Sequence, residues 1–173
     1  INLTVRGNNM AKAAIEMAGW LIIAIQKNLS LAKLIGGTRE KLETGVSLGI
    51  QDSPEELVQK VKRSVNEGYR KIKIKIKPGY DSQYLTAVRE ACGDVCIMAD
   101  ANNAYTLNDI ELLKSFDELK LLMIEQPLAW DDVSKHSQLI NQLDTPVCLD
   151  ESITSFSQAL AAVHCKSADI INI

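Results

Sequence analysis

Short apolar runs alternate with longer segments of helical periodicity from about residue 43 onward. Apolar runs of about four to eight residues predict buried strands, and the amphipathic segments between them predict helices. Strands and helices that alternate through short connections are typical of an α/β fold with a parallel sheet, and they argue against a β-sandwich. The predicted strands are 43–50, 71–77, 95–100, 121–125, 147–150 and 170–173, and the predicted helices between them are 54–66, 82–91, 106–116, 134–143 and 155–164.

The helix after the first strand has specific start and stop signals. Ser53 is a favourable N-cap, and Pro54 suits the first helical turn. Gly68 lies where the helical pattern ends, and glycine is the residue that most readily ends a helix. This segment is therefore predicted to be a helix packed beside the sheet.

The first 42 residues follow a different pattern, because they predict helices and no strand. A helix is expected over 9–28 and a shorter one over 31–35, which Gly36 and Gly37 end. The apolar stretch 17–25 is shorter than the ~20 residues that cross a bilayer. It therefore predicts a buried helix, and we expect no membrane partner.

An acidic residue closes three of the apolar runs. Asp100, Glu125 and Asp150 are equally spaced along the chain and have similar flanks. Equal spacing fits repeated strand-plus-helix units, whose strand ends meet at one mouth of a parallel barrel. Carboxylates that converge repel one another unless a cation holds them, and all-oxygen ligands favour Mg²⁺ or Mn²⁺ over zinc. The pattern therefore predicts a divalent metal site.

Acidic residues also follow strands for purely structural reasons, as helix N-caps or turn residues. For any one of the three positions this interpretation has about the same weight as the ligand interpretation. The equal spacing of all three favours a ligand set.

Lysine and isoleucine alternate along the second predicted strand, so each residue type occupies one face. The lysines are Lys71, Lys73, Lys75 and Lys77, and the isoleucines are Ile72, Ile74 and Ile76. An antiparallel strand with a solvated lysine face is the common source of such a pattern. Here the neighbouring apolar runs favour a parallel sheet beneath helices, so we expect the isoleucines under the helices and the lysines inside the barrel. Lysines in that place require an anion or a catalytic role.

Four short motifs follow one another in a fixed order and together form a specific signature. They are Lys73-Ile-Lys75, Asp100-Ala-Asn102, Ile124-Glu-Gln-Pro127 and Leu149-Asp-Glu-Ser152. With this set, nearly the whole chain resembles the enolase superfamily, in its muconate-lactonising branch, and most closely the o-succinylbenzoate synthase/N-acylamino acid racemase family.

The resemblance implies a capping domain followed by a (β/α)7β TIM-like barrel. Residues 1–42 are then expected to be the C-terminal remnant of the capping domain with its linking helices. Residues 43–173 are expected to be the N-terminal part of the barrel, about strands 1–6, interrupted in strand 6. On this view the chain is a fragment, and its full-length parent is expected to be a homo-oligomer.

The resemblance also implies a role for each motif residue. Asp100, Glu125 and Asp150 are expected to bind Mg²⁺ (or Mn²⁺), which holds a substrate carboxylate and stabilises an enediolate. Lys75 is expected to act as the acid/base on the α-carbon, with Lys73 as an electrostatic auxiliary.

Three further residues are expected around this centre. Asn102 and Glu151 would orient the metal ligands or the lysines, and Ser47 would lie near the substrate carboxylate.

Several activities remain open for the parent enzyme. The resemblance implies o-succinylbenzoate synthase activity in menaquinone synthesis, N-acylamino acid racemase activity, or both. A dipeptide epimerase and a lactonising enzyme are alternatives within the superfamily, and a non-catalytic fragment is an alternative outside it. The chain by itself is expected to be inactive, because the second lysine of this family would follow Ile171-Asn-Ile173.

Composition limits the possible partners. The net charge is -3 and no basic cluster exists apart from the strand lysines, so nucleic acid is not an expected partner. The four cysteines lack zinc-binding spacing and are expected to be reduced packing residues of a cytoplasmic protein. His136 and His164 fall in predicted helices, away from the strand ends, and are expected to be structural.

Overall fold

The computed structural model describes residues 4–173, which form two compact units that divide between Glu43 and Thr44. The first unit contains helices α1 (Asn9–Gln26) and α2 (Leu31–Leu34). Within residues 4–173, none of the helices combines the length and the hydropathy that a transmembrane span requires. The origin of the first unit in a capping domain stays a prediction.

The second unit contains six parallel strands that pair in sequence order and do not close into a barrel. Helices connect each strand to the next, as the alternating pattern predicted. The strands are β1 (Gly45–Leu48), β2 (Lys71–Lys75), β3 (Cys96–Asp100), β4 (Met123–Glu125), β5 (Val147–Leu149) and β6 (Ile170–Ile171). The helices are α3 (Pro54–Asn66), α4 (Ser82–Cys92), α5 (Ile110–Ser115), α6 (Val133–Ile140) and α7 (Phe156–His164).

One face of the sheet packs beneath the helices and forms the hydrophobic core. Ile72 and Ile74 of β2 are buried there, together with Leu57 of α3 and Leu85 of α4. Burying an isoleucine or leucine side chain stabilises the fold by about 1.5–3 kcal/mol. The opposite face carries the alternate residues of each strand, and it is this face that presents the lysines of β2.

Local signals define the helix ends that bring the chain back to the sheet. The Ser53 hydroxyl accepts a hydrogen bond from the Glu56 amide, so Ser53 is the N-cap of α3 as predicted. Ser155 caps α7 in the same way, through the amide of Gln158. Gly68, with φ at +97°, follows α3 in a conformation that favours glycine.

Several predicted elements differ from the structure in their bounds, and two of the differences have a clear physical or structural form. Strand β2 ends at Lys75 because the chain then turns, with the Tyr80 amide donating to the Lys77 carbonyl oxygen at 2.8 Å. Lys77 lies over the Tyr80 ring, so it does not join Lys73 and Lys75 inside the sheet. The predicted helix 106–116 is divided into the 3₁₀ turn Leu107–Asp109, helix α5 and the 3₁₀ turn Phe116–Leu119.

Candidate active site

The three predicted acidic ligands lie at the carboxyl ends of adjacent strands. Asp100 is the last residue of β3, and it pairs directly with Glu125, the last residue of β4. Asp150 follows the last residue of β5. None of the three caps a helix, so the N-cap interpretation is wrong for these residues. Asp100 does accept a local hydrogen bond from the Asn102 amide at 3.3 Å, which leaves its second oxygen for other contacts.

Lys73 joins two of these carboxylates. Its Nζ lies 3.1 Å from Oε1 of Glu125 and 3.3 Å from Oδ2 of Asp100. Burial by itself would lower the pKa of the ammonium, but the hydrogen bond to Glu125 and the charges of both carboxylates outweigh it, and the pKa of Lys73 is raised. Lys73 is therefore a fixed positive charge beneath the acidic residues.

Glu125 is the most deeply buried acid of the three, with 1% of its surface exposed. Burial raises the pKa of its carboxyl group, and Lys73 opposes that effect. The charge of the neighbouring Asp100 raises the pKa further, because adjacent like charges disfavour ionisation, and a hydrogen bond with the Asp150 side chain also raises it. This is the electrostatic situation that a divalent cation would relieve.

The donor set fits Mg²⁺ in its chemistry, since it consists of carboxylate oxygens at neighbouring strand ends. Among residues 4–173, however, no three His, Cys, Asp or Glu side chains lie close enough to form a ready metal site. The Lys73 ammonium lies between Asp100 and Glu125, where it balances part of the negative charge of the two carboxylates. The ligand role of the three acids thus stays a prediction.

Lys75 is the first residue in a series of side-chain hydrogen bonds at the mouth of the sheet. Its Nζ lies 3.4 Å from Oδ2 of Asp100 and donates a shorter hydrogen bond to Oδ1 of Asn102. The side-chain Nδ2 of Asn102 in turn donates to Oε1 of Glu151 at 2.9 Å. The structure therefore brings Asn102 into contact with Lys75, and Glu151 into contact with Asn102. Their orienting role stays a prediction. The Lys75 side chain is 41% exposed against 24% for Lys73, so Lys75 is the more accessible of the two lysines.

Ser47 lies on the inner face of β1, directly opposite Lys73 in the strand register. It lines a cavity of about 220 Å³ together with Lys73 and Glu125. The structure thus places Ser47 near the centre, and its contact with a substrate stays a prediction.

Two residues in this region make contacts that the sequence did not predict. The side-chain amide of Asn172, which follows β6, donates to Oε1 of Glu125 at 3.1 Å. The Gln126 side chain bonds to the backbone of Asp150 at 3.0 Å. Both residues belong to motifs noted above, Ile-Asn-Ile and Ile-Glu-Gln-Pro, but pairing across strands is not encoded in either motif.

His136 and Cys148 occupy buried positions, whereas His164 and Cys165 are exposed. His136 is fully buried in α6, where its Nε2 accepts from the Leu128 amide at 3.3 Å. Cys148 is fully buried on the inner side of β5, and burial raises the pKa of its thiol to about 12. A thiol with so high a pKa is a poor nucleophile at neutral pH, so Cys148 is a packing residue.

A family model described as enolase C-terminal domain-like matches residues 56–173. The chain belongs to the enolase superfamily. It is 50% identical over 169 residues to the o-succinylbenzoate synthase of Geobacillus kaustophilus, and this match covers 98% of the chain and 45% of that protein. It is 48% identical over 168 residues to the N-succinylamino acid racemase of Thermus thermophilus, and this match covers 97% of the chain and 46% of that protein.

A solved structure shows the same fold. The dipeptide epimerase of Enterococcus faecalis V583, complexed with Mg and the dipeptide L-Leu-L-Tyr, superposes with a TM-score of 0.91 at 30% identity. The match covers 99% of the chain and 49% of that structure. The chain therefore spans about half the length of the enolase-superfamily proteins that it matches.

Proposed function

We propose that this chain carries the proton-abstracting part of a metal-dependent enolase-superfamily site, acting as an o-succinylbenzoate synthase, an N-acylamino acid racemase, or both. The observation that supports this proposal most directly is the arrangement of Lys73 and Lys75 on β2. Lys73 is held between Glu125 and Asp100, whereas Lys75 reaches the open mouth and contacts Asn102. Lys73 thus pairs with two carboxylates, whereas Lys75, which pairs with Asp100 alone, is the more exposed lysine and the one proposed to exchange a proton with a substrate.

In this proposal the neutral amine of Lys75 takes the proton from the α-carbon of a carboxylate substrate and becomes the ammonium, while the electron pair of the broken C–H bond forms the enediolate. Its hydrogen bond to Asn102, which Glu151 supports, holds the amine at the mouth. Lys73 keeps positive charge beneath the site while negative charge develops on the substrate. Ser47 would bind the substrate carboxylate from the β1 side of the cavity.

Asp100, Glu125 and Asp150 would hold Mg²⁺ or Mn²⁺. A divalent cation there would offset the negative charge of the enediolate that the substrate carboxylate becomes when the α-proton leaves. The raised pKa of Glu125 and the like charges around it support this role, because a bound cation would favour the ionised form.

A dipeptide epimerase is the second candidate, and the 30% identity to the Enterococcus epimerase supports it less strongly than the identities of 50% and 48% support the synthase and the racemase. Epimerisation also requires removal of a proton from an α-carbon, so it would use the same lysine. The expected homo-oligomer and the cytoplasmic location stay predictions.

The test of this proposal is a chimera in which the chain replaces the matching segment of the Geobacillus kaustophilus synthase. We expect it to form o-succinylbenzoate or to racemise N-succinyl amino acids, and to act on dipeptides more slowly. The matched control carries Asp150→Asn and should lose all three activities, since it lacks one charged ligand. A folded chimera that epimerises dipeptides preferentially would favour the second candidate, and one with none of these activities would contradict both.

A further inference from the structure

Gln126 is a fully buried polar residue directly after Glu125, and it lies between the ends of β4 and β5. Its Oε1 accepts hydrogen bonds from the amides of Asp150 and Ser152, at 3.0 and 3.2 Å. Its Nε2 donates to the Ser152 hydroxyl at 2.8 Å and to the Leu128 carbonyl at 3.0 Å. Every hydrogen-bonding position of the carboxamide is therefore used.

The backbone of Gln126 also contributes to this arrangement. Its amide donates to the Cys148 carbonyl of β5 at 2.8 Å, and its carbonyl accepts from the Asn103 amide at 2.9 Å. Its φ is +41°, a left-handed conformation that is uncommon for a residue with a Cβ. A non-glycine residue in this conformation persists only where the surroundings fix it, and such residues cluster at functional sites.

Only a carboxamide satisfies these partners. Two backbone amides require an acceptor, while the Leu128 carbonyl and the Ser152 hydroxyl receive donated hydrogens. A carboxylate would face the Leu128 carbonyl with a second acceptor, and an apolar side chain would leave buried polar groups without partners. The chemical identity of the side chain is therefore constrained on both of its ends.

We propose that Gln126 is a positioning residue that fixes the backbone of Asp150, so that the Asp150 carboxylate is presented beside Glu125. The Ser152 hydroxyl extends the connection, since it donates to the Trp130 carbonyl at 2.8 Å in the loop after β4. Gln126 thus ties the acidic residues of two strands to one loop. Residues that orient ligands from behind typically change metal affinity by about 10- to 100-fold when they are replaced.

This inference rests on the proposed function only in its metal-binding consequence. The positioning itself is tested by hydrogen exchange at single-residue resolution on the unaltered 173-residue chain. The amides of Asp150 and Ser152 should exchange slowly, whereas the Glu151 amide between them, which has no hydrogen-bond partner among the described residues, should exchange faster. Equally fast exchange at all three positions would overturn the proposal.

The consequence is tested by titrating the chain with Mn²⁺ and measuring free Mn²⁺ by electron paramagnetic resonance. Gln126→Met, of similar volume, should weaken Mn²⁺ binding by about 10- to 100-fold. The control Gln59→Met changes an exposed glutamine of α3 and should stay within about twofold. A second control, Tyr105→Phe, removes a buried hydrogen bond elsewhere in the unit and should leave affinity unchanged although it lowers stability.

The outcomes separate this inference from the proposed function. Unchanged affinity in Gln126→Met, or an equal loss in Tyr105→Phe, would overturn the role of Gln126. A chain that binds no Mn²⁺ at all would contradict the proposed metal site instead, and the exchange pattern at residues 150–152 would then decide the positioning role alone.

Discussion

Lys73 Nζ lies 3.1 Å from Oε1 of Glu125, and this contact joins the middle of β2 to the end of β4. The two residues are far apart in sequence, and the parallel register of β2, β3 and β4 brings them together. An ammonium at hydrogen-bond distance from a buried carboxylate reduces the cost of keeping both charged. The contact therefore allows several acidic residues to gather at one end of the sheet.

Glu125→Gln removes one carboxylate from this group. We expect Mg²⁺ binding to weaken by at least about tenfold, because loss of a direct ligand should cost no less than loss of a supporting contact. Isothermal titration calorimetry on the 173-residue chain measures the effect. Glu90→Gln, at an exposed position of α4, is the control and should bind like the unaltered chain. Equal affinity in both variants would remove Glu125 from the ligand set.

Tyr105→Phe tests a buried clamp between two loops. The Tyr105 hydroxyl donates to Oδ2 of Asp81 at 2.9 Å, and both residues are buried. Without this donor a buried carboxylate oxygen loses its partner, so the free energy of unfolding should fall by about 1–3 kcal/mol. Urea denaturation measures the change. The control Tyr80→Phe should alter the free energy of unfolding by less than about 0.5 kcal/mol. A similar loss in both variants would show that the Tyr105–Asp81 hydrogen bond does not contribute more to stability than an ordinary tyrosine hydroxyl.

His136 predicts how stability depends on pH. Burial lowers the pKa of its imidazole below 6.5, and only the neutral ring can accept from the Leu128 amide while Nδ1 donates to the Asp132 carbonyl. The unfolded chain then binds the proton more readily, so this stabilisation is complete above about pH 6.5 and is lost as the pH falls toward the folded pKa. Each pKa unit by which the folded-state value lies below the unfolded-state value corresponds to ~1.4 kcal/mol in the free energy of unfolding.

The measurement is urea denaturation between pH 7.5 and about pH 5. His136→Gln should lower stability at neutral pH and flatten its decline toward acid. His164→Gln changes an exposed histidine and should keep the original slope. An unchanged slope in His136→Gln would assign the acid sensitivity to other groups.

Much of the fold and the outline of the site follow from local sequence. The alternating lysines and isoleucines of β2 predicted which face is buried, because side-chain direction along a strand has a fixed period. The strand-end positions of Asp100 and Glu125 followed from the apolar runs before them. Ser53 and Pro54 correctly marked the start of α3, since capping depends on neighbouring residues alone.

Other features depend on contacts between distant segments and were not predictable from the sequence. Gln126 reaches Asp150 and Asn172 reaches Glu125 only after the strand register is set. Strand β2 ends early because Lys77 pairs with Tyr80 in a turn, although the alternating pattern continues through Lys77. Lys73 lies between two predicted metal ligands, a detail that depends on side-chain conformation rather than on sequence spacing.

The isolated 173-residue chain is expected to be inactive. Its six-stranded sheet is open at β1 and β6, so the inner face that carries Lys75 is not enclosed. Proton abstraction next to a carboxylate requires exclusion of water, and an open sheet does not exclude it. Assays of o-succinylbenzoate formation and of N-succinyl amino acid racemisation measure this. Turnover at a rate near that of a full-length relative would refute the requirement for a closed barrel.

The most direct measurement is exchange of the α-proton in D₂O, followed by mass spectrometry, with an N-succinyl amino acid and the Geobacillus chimera. We expect deuterium to enter the α-carbon, and Lys75→Ala to slow the exchange by about 10²- to 10⁴-fold, the usual contribution of a general acid or base. Lys71→Ala, on the same strand but exposed, should exchange at the unaltered rate. A folded Lys75→Ala chimera that exchanges as fast as the unaltered one would contradict the assignment of Lys75 as the base.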